Sequence, residues 1–311
     1  RSRKPSVRLA AIAHEQKMRP SVAPRVERAE IERRFDRIVL RVLDRTSTGL
    51  SVAGLGAGEM VESALRALAE RPHGLVLVAG PTGSGKTTTL YAILNEVDRE
   101  RRKVVTVEDP IEYELPRTVQ LEVSPQFDVS FGNAVRSIVR QDPDVILIGE
   151  IRDAETAAAG LEASLTGHLV LATLHAADGG SAVRRLVDLG APRALLLESL
   201  AAILTQRLLR RLCTGCRRPL SGNDLDLAVP ALFEAAGCGE CAGTGYRGRL
   251  GIFEVLPGNP DTVALLADDQ DVPTDRLLSG RSLLAAALDH AARGTTSPSE
   301  VRRVLFGDGG P

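Results

Sequence analysis

Residues 75–87 read Leu75-Val76-Leu77-Val78-Ala79-Gly80-Pro81-Thr82-Gly83-Ser84-Gly85-Lys86-Thr87, and a helical pattern follows from Thr88. An apolar strand that breaks into a glycine loop and then a helix start is the setting in which a phosphate-binding loop works. The glycines let consecutive backbone N–H groups turn inward around a β-phosphate, and the helix N-terminus adds a favourable dipole. Lys86 can reach β- and γ-phosphate oxygens, and the Thr87 hydroxyl can ligate Mg²⁺. The opposing reading is a chance glycine turn before a helix, and eight specified positions in the right context set it aside. Residues Gly80 to Thr88 are the predicted nucleotide site, with Mg²⁺ and ATP as the implied ligands.

Outward from this stretch, short apolar runs alternate with helical patterns. Gly74–Ala79, Lys103–Glu108, Asp144–Ile148 and His168–Leu174 read as buried strands, which predicts an α/β domain with a largely parallel sheet. Glu59–Glu70 has helical spacing of Met60, Ala64, Leu65 and Leu68. Arg193–Leu212 reads as one long helix, Ile252–Leu256 as a strand, and residues 274–306 as two helices around Gly294–Pro298, with Ser297 capping the last. Upstream, Asp36–Leu43 reads as a short strand, and residues 1–35 as loop or weak structure.

Composition narrows the function classes. The 311 residues are 43% hydrophobic and 25% charged with a net charge of −1, which gives no reason to expect a polyanionic partner. Aromatics make up 3% and Trp is absent, so platforms for stacking nucleic-acid bases are scarce. Residues 1–45 hold 13 Lys/Arg against 6 Asp/Glu, which reads as a solvated basic arm before any functional surface. The sequence contains neither a bilayer-length apolar run nor a signal-peptide pattern at its start, and a cytoplasmic protein is expected.

Two acidic segments accompany the glycine loop. Asp142 to Asp153 reads as an apolar strand ending in Gly149-Glu150, and beside a phosphate loop Glu150 becomes the metal-side carboxylate. Taken alone, such a strand end would be structural. Thr106 to Tyr113 places Glu108, Asp109 and Glu112 within five residues, where mutual repulsion calls for a cation or a water network. A solvated turn around Pro110 is the competing account of that segment.

Cys213 and Cys216 form one C-x₂-C pair, Cys238 and Cys241 a second, 21 residues apart. Four thiolates on two tight turns suit a closed, structural Zn²⁺ site. A redox pair is the rival reading, but neither pair opens a helix near a βαβ unit.

In this order, the glycine loop, the Glu108-Asp109-Pro110-Ile111-Glu112 box, Gly149-Glu150-Ile151-Arg152-Asp153 and Thr166-Gly167-His168 through His175 resemble the secretion and pilus ATPase superfamily. The flanks of the cysteines, Gln206 to Cys213 and Cys241 to Glu254, are similar to the same superfamily. The tetracysteine module points to the type II secretion and type IV pilus assembly motors. The resemblance implies a RecA-like P-loop ATPase core, a zinc-binding tetracysteine insert and a helical C-terminal part. It implies four segments: 1–58 a remnant of an N-terminal nucleotide-sensing domain and linker, 59–212 the core, 213–245 the zinc module, and 246–311 the C-terminal strand and helices. It further implies Lys86, Glu112 and Glu150 as catalytic residues, with Thr87 and Glu150 on Mg²⁺. His168 and His175 would couple the γ-phosphate state to a subunit interface, and Arg41 would sense phosphate. A strand places the two histidines on opposite faces, so they are expected to do different jobs.

Implied partners are five further copies in a homohexamer, an inner-membrane platform protein and a cytoplasmic-ring protein, with the chain peripheral to the inner membrane and no nucleic acid expected. Two other classes stay open at this point: a RecA-like nucleic-acid motor, and a nucleotide-dependent assembly module that does not hydrolyse.

Overall fold

The computed structural model describes residues 31–34, 37–40, 50–123, 129–220, 232–259, 262 and 281–307. The chain divides into two units, Arg1–Gly49 with Ile111–Leu115, and Leu50–Pro110 with Pro116–Pro311. In the first unit, β1 (Ile31–Arg34) and β2 (Arg37–Leu40) form an antiparallel hairpin with Ile31 opposite Leu40. The expected strand over Asp36–Leu43 is present at Arg37–Leu40, and it has a partner strand where loop was expected. Arg41 lies outside the described residues.

The second unit begins with α1 (Glu59–Glu70); of the residues whose spacing marked its apolar face, Leu65 and Leu68 are buried, whereas Met60 is exposed and Ala69 is buried in addition. There follow β3 (Gly74–Ala79), α2 (Lys86–Glu96), β4 (Val104–Glu108), β5 (Thr118–Glu122), α3 (Phe131–Ile138) and β6 (Val145–Ile148). Next come α4 (Ala154–Leu165), β7 (Leu169–Leu174), α5 (Gly179–Asp188), α6 (Arg193–Ser199) and β8 (Leu200–Leu212). A short pair, β9 (Arg218–Pro219) and β10 (Phe233–Glu234), precedes β11 (Tyr246–Pro257), α7 (Leu283–Ala292) and α8 (Pro298–Phe306). Helix α2 starts at Lys86, two residues before the helical pattern was expected to begin.

Seven strands make one sheet in the order β11-β8-β3-β7-β6-β4-β5. Its neighbours run parallel except for β11, which returns antiparallel along β8. Every residue of β3, β6 and β7 is buried, so these strands carry continuous Val, Leu, Ile and Ala runs rather than an alternating pattern. Strand β3 lies between β7 and β8, where the chain crosses from one half of the sheet to the other. In open α/β sheets, that crossing point at the C-terminal strand ends is where ligands bind.

The single long helix expected over Arg193–Leu212 is corrected: the helix stops at Ser199, and Leu200–Leu212 is a strand. Its apolar residues satisfy a helical period on paper. In the fold, however, β3 pairs one edge of this segment and β11 the other, so its backbone groups are taken by ladders. Tertiary pairing overrides local propensity here. Edge strand β5 was not anticipated, because Thr118-Val119-Gln120-Leu121-Glu122 has no apolar run. Among the described residues, no helix is long and apolar enough to cross a membrane.

The two C-terminal helices pack on the β8–β11 pair through Leu209, Leu250, Ile252, Ala287, Ala291 and Val301. Ser297 caps α8 as expected, its hydroxyl accepting from the Glu300 N–H at 3.1 Å. The Glu300 side chain is wholly buried. It accepts from Arg210 N–H and Nε at 2.9 Å, from Arg210 Nη2 at 2.6 Å, and from Arg303 at 2.8 and 2.7 Å. Arg210 in turn lies over the Tyr246 ring at 4.1 Å, and Tyr246 reaches Ser297 Oγ at 2.7 Å. Burial alone would raise the Glu300 carboxyl. The hydrogen bonds from Arg303 and Arg210 outweigh it and bring the group down to about 2.

Since the folded carboxyl titrates below its ordinary value near 4.5, its stabilisation is complete above that pH and is lost as pH falls toward about 2. Glu300→Gln is expected to cost about 1–3 kcal/mol near neutral pH, because charge-assisted bonds are replaced by weaker ones. Urea unfolding of both proteins should show that difference at pH 7 and its disappearance near pH 2. A difference independent of pH would mean the bonds do not depend on the ionised carboxylate.

Candidate functional site

The site lies at the C-terminal ends of the central strands. β3 ends at Ala79, and its chain turns through residues 80–85 into α2. Gly80 is glycine for lack of room: a Cβ there would stand 2.5 Å from Ser84 Oγ and 2.7 Å from the Gln206 carbonyl. Gly85 caps the helix at φ 88°, a left-handed conformation that disfavours other residues. Lys86 is only 8% exposed, and its ammonium donates to the carbonyls of Gly80 at 2.9 Å and Pro81 at 3.1 Å. Burial lowers its pKa, Glu150 acts against that shift, and Arg207 adds to it. A cation is thus held over the glycine loop, on groups from which it can be drawn by stronger acceptors.

Strand β8 braces this loop from the side. The Gln206 amide donates to the Ser84 carbonyl at 2.8 Å and accepts from Thr89 Oγ1 at 2.7 Å, so one buried side chain ties the loop to its helix. The neighbouring Arg207 donates to the carbonyls of Gln206 and Ala177. Neither residue was singled out from the sequence as part of the site. Reading β8 as a helix hid their position, and the glutamine directly before an arginine in an apolar strand was the available signal.

Glu150 follows β6, as its strand-end position predicts. Arg152 Nε donates to its Oε2 at 2.6 Å, and His175 Nε2 lies 3.0 Å from its Oε1. The structure therefore brings together Lys86, Glu150 and His175. Arg152 also lies 3.6 Å from Asp109, joining the acidic box to this group.

His168 is not brought here. It precedes β7, and its carbonyl accepts from Gly74 at the start of β3, the end of the sheet away from the glycine loop. Six strand residues separate it from His175, roughly 20 Å along the strand. Its Nδ1 faces the Ala163 carbonyl at 2.9 Å and Thr166 Oγ1 at 3.3 Å, which fixes the turn after α4.

The acidic box is distributed differently from a single cluster. Glu108 is buried and takes hydrogen bonds from Tyr91 on α2, from Thr106 at 2.6 Å and from Gln120 at 3.1 Å. Its charge is met by fixed donors, and it joins α2, β4 and β5. Asp109 stands beyond it, half exposed and facing Arg152. Glu112 belongs to the segment Ile111–Leu115 of the first unit. Other acids of these motifs have local tasks: Asp144 accepts from the Lys103 N–H at 2.6 Å, and Asp153 caps α4.

The four cysteines converge between β8 and β11, with all four sulfurs within 4.8 Å of one another. Cys213–Cys238, Cys216–Cys241 and Cys238–Cys241 are 3.9, 3.8 and 3.7 Å apart. Four thiolates around one ion at about 2.3 Å in a tetrahedron have sulfurs about 3.8 Å apart, so the set fits a tetrahedral metal. The N–H groups of Cys238 and Gly245 point at Cys241 Sγ at 3.1 and 3.2 Å. Burial raises the Cys241 thiol, but these donors outweigh it and bring it down to about 6, while burial pushes Cys216 up to about 12.

A family model described as "Type II/IV secretion system protein" matches residues 5–303. The chain is similar to type II secretion system protein E of Dickeya dadantii, 45% identical over 86% of this chain and 56% of the relative. It is likewise similar to type II secretion system ATPase E of Vibrio cholerae, 42% identical over the same shares. The chain thus spans about half the length of these curated relatives. Among solved structures, the pilus retraction motor PilT with bound ADP superposes with a TM-score of 0.64 at 28% identity, covering 84% of this chain and 68% of that one.

Proposed function

This chain belongs to the type II/IV secretion system protein family, and we propose that it is the ATP-hydrolysing part of a motor for protein export. The observation that carries the reading is the buried Lys86 ammonium on the Gly80 and Pro81 carbonyls, with Glu150 held beside it by His175 and Arg152. The relatives named for type II secretion favour export over pilus assembly, and the ADP in the PilT structure favours a nucleotide at this loop.

In this reading Lys86 leaves its two carbonyls for the β- and γ-phosphate oxygens of ATP, and N–H groups of the glycine loop and the first turn of α2 hold the β-phosphate. Thr87 and Glu150 supply hard oxygen donors suited to Mg²⁺, which when bound neutralises charge on the phosphates. Glu112 orients the attacking water. His175 reports the state of Glu150 to neighbouring copies, and His168 is left with its structural turn. The cysteines hold one structural Zn²⁺, since all four positions are protein sulfur. We further propose the division into 1–58, 59–212, 213–245 and 246–311, a sensing role for Arg41, a homohexamer, and docking to an inner-membrane platform protein and a cytoplasmic-ring protein from the cytoplasmic side.

Lys86→Ala should weaken ATP binding by about 10- to 100-fold, the value of a lost charge-assisted contact, and abolish turnover. Glu112→Gln should leave binding nearly intact and slow hydrolysis by about 10²–10⁴. Equal loss of binding in both variants would place Glu112 on the metal side or in the scaffold. For the cysteines, elemental analysis of the purified chain should find one zinc per copy. Cys238→Ser should expose residues 213–241 to protease while ATP binding persists. Absence of zinc, with four freely titrating thiols in the folded protein, would remove that assignment.

A further inference from the structure

Arg207 has no part in the scheme above, yet it bonds to main-chain carbonyls on both sides of the site. Its Nη1 donates to the Gln206 carbonyl at 3.0 Å and its Nη2 to the Ala177 carbonyl at 2.6 Å. The first carbonyl is the one that faces Gly80 closely enough to exclude a Cβ. The second lies between His175, which reaches Glu150, and Asp178, whose side chain caps α5 by accepting from the Ser181 N–H at 2.7 Å. Gln206 itself grips Ser84 and Thr89. One uninterrupted set of hydrogen bonds therefore runs from the glycine loop through residues 206 and 207 to the loop after β7.

The chemistry suits a bridge. A guanidinium offers a rigid planar fork that addresses two carbonyls at once, whereas an ammonium is a single point charge. Burial works against the charge of Arg207, and Asp178 and Glu254 support it. Arg207 is half-buried, and its bonds to Gln206 and Ala177 both go to main-chain carbonyls, so the guanidinium acts as a spacer between two loops.

We infer that Arg207 is a positioning residue that couples the glycine loop to the loop carrying His175, so that an occupied phosphate site orders residues 175–178. The inference rests on the nucleotide reading above and adds the route by which that site acts on His175. A rigid bridge lets a shift of the loop under bound phosphate reach a second element without contact between phosphate and that element.

Hydrogen exchange on the full chain, with and without Mg-ADP, separates the possibilities. In the wild-type protein, nucleotide should slow exchange at residues 80–87 and, by about 5-fold or more, at residues 175–178. In Arg207→Gln, protection at 80–87 should remain and that at 175–178 should vanish. Arg207→Lys keeps the charge but cannot span both carbonyls, and it should behave the same way. Nucleotide protection of both segments in both variants would overturn the coupling while leaving the nucleotide site intact. No protection of residues 80–87 in the wild-type protein would overturn the nucleotide reading and this inference with it.

Discussion

The Lys86 ammonium, almost entirely removed from water, is the constraint around which the rest of this structure is arranged. A buried cation is costly unless polar groups meet it. Here the loop's own carbonyls do so, and Glu150 adds charge of opposite sign from the next motif. That arrangement requires a loop tight enough to present two carbonyls to its own lysine, hence the glycines at 80 and 85. It also requires a strand stiff enough to aim the loop. β3 meets that need by being buried along its full length between β7 and β8.

The two flanks of β3 serve different ends. On the β7 side, the strand ends deliver Glu150 and His175 to the cation, and the acidic box reaches them through Arg152. On the β8 side, Gln206 and Arg207 hold the loop from behind. β8 is a long element that touches the glycine loop, the cysteine cluster and the C-terminal helices. Its far end runs into Cys213, and its Arg210 pairs with the buried Glu300 of α8. The helix pair packed on the β8–β11 ribbon fixes that strand to β11.

Much of this was legible in the residues because the features concerned are local. A glycine loop needs its glycines and lysine within eight positions, and C-x₂-C pairs carry their spacing with them. Continuous apolar runs marked β3, β6 and β7 because those strands are buried on both faces. What was missed depends on pairing between distant segments. Residues 200–212 match a helical period, and only the ladders with β3 and β11 make them a strand. The same misreading concealed Gln206 and Arg207. Glu108 looked like one of three repelling carboxylates, but Tyr91 and Gln120, 17 and 12 residues away, give it fixed donors. His168 and His175 share one motif on paper, while the length of β7 puts them at opposite ends of the sheet.

If the buried ammonium is held for phosphate, then a polyphosphate that reaches it must stabilise the folded chain. The most direct measurement is the thermal unfolding of the purified protein in Mg²⁺ with increasing amounts of a non-hydrolysable ATP analogue. The account predicts a midpoint that rises with the logarithm of nucleotide concentration, reaching about 2.7 kcal/mol of added stability at a hundredfold excess over the dissociation constant. A midpoint unmoved by millimolar nucleotide, in protein that unfolds cooperatively, would contradict it.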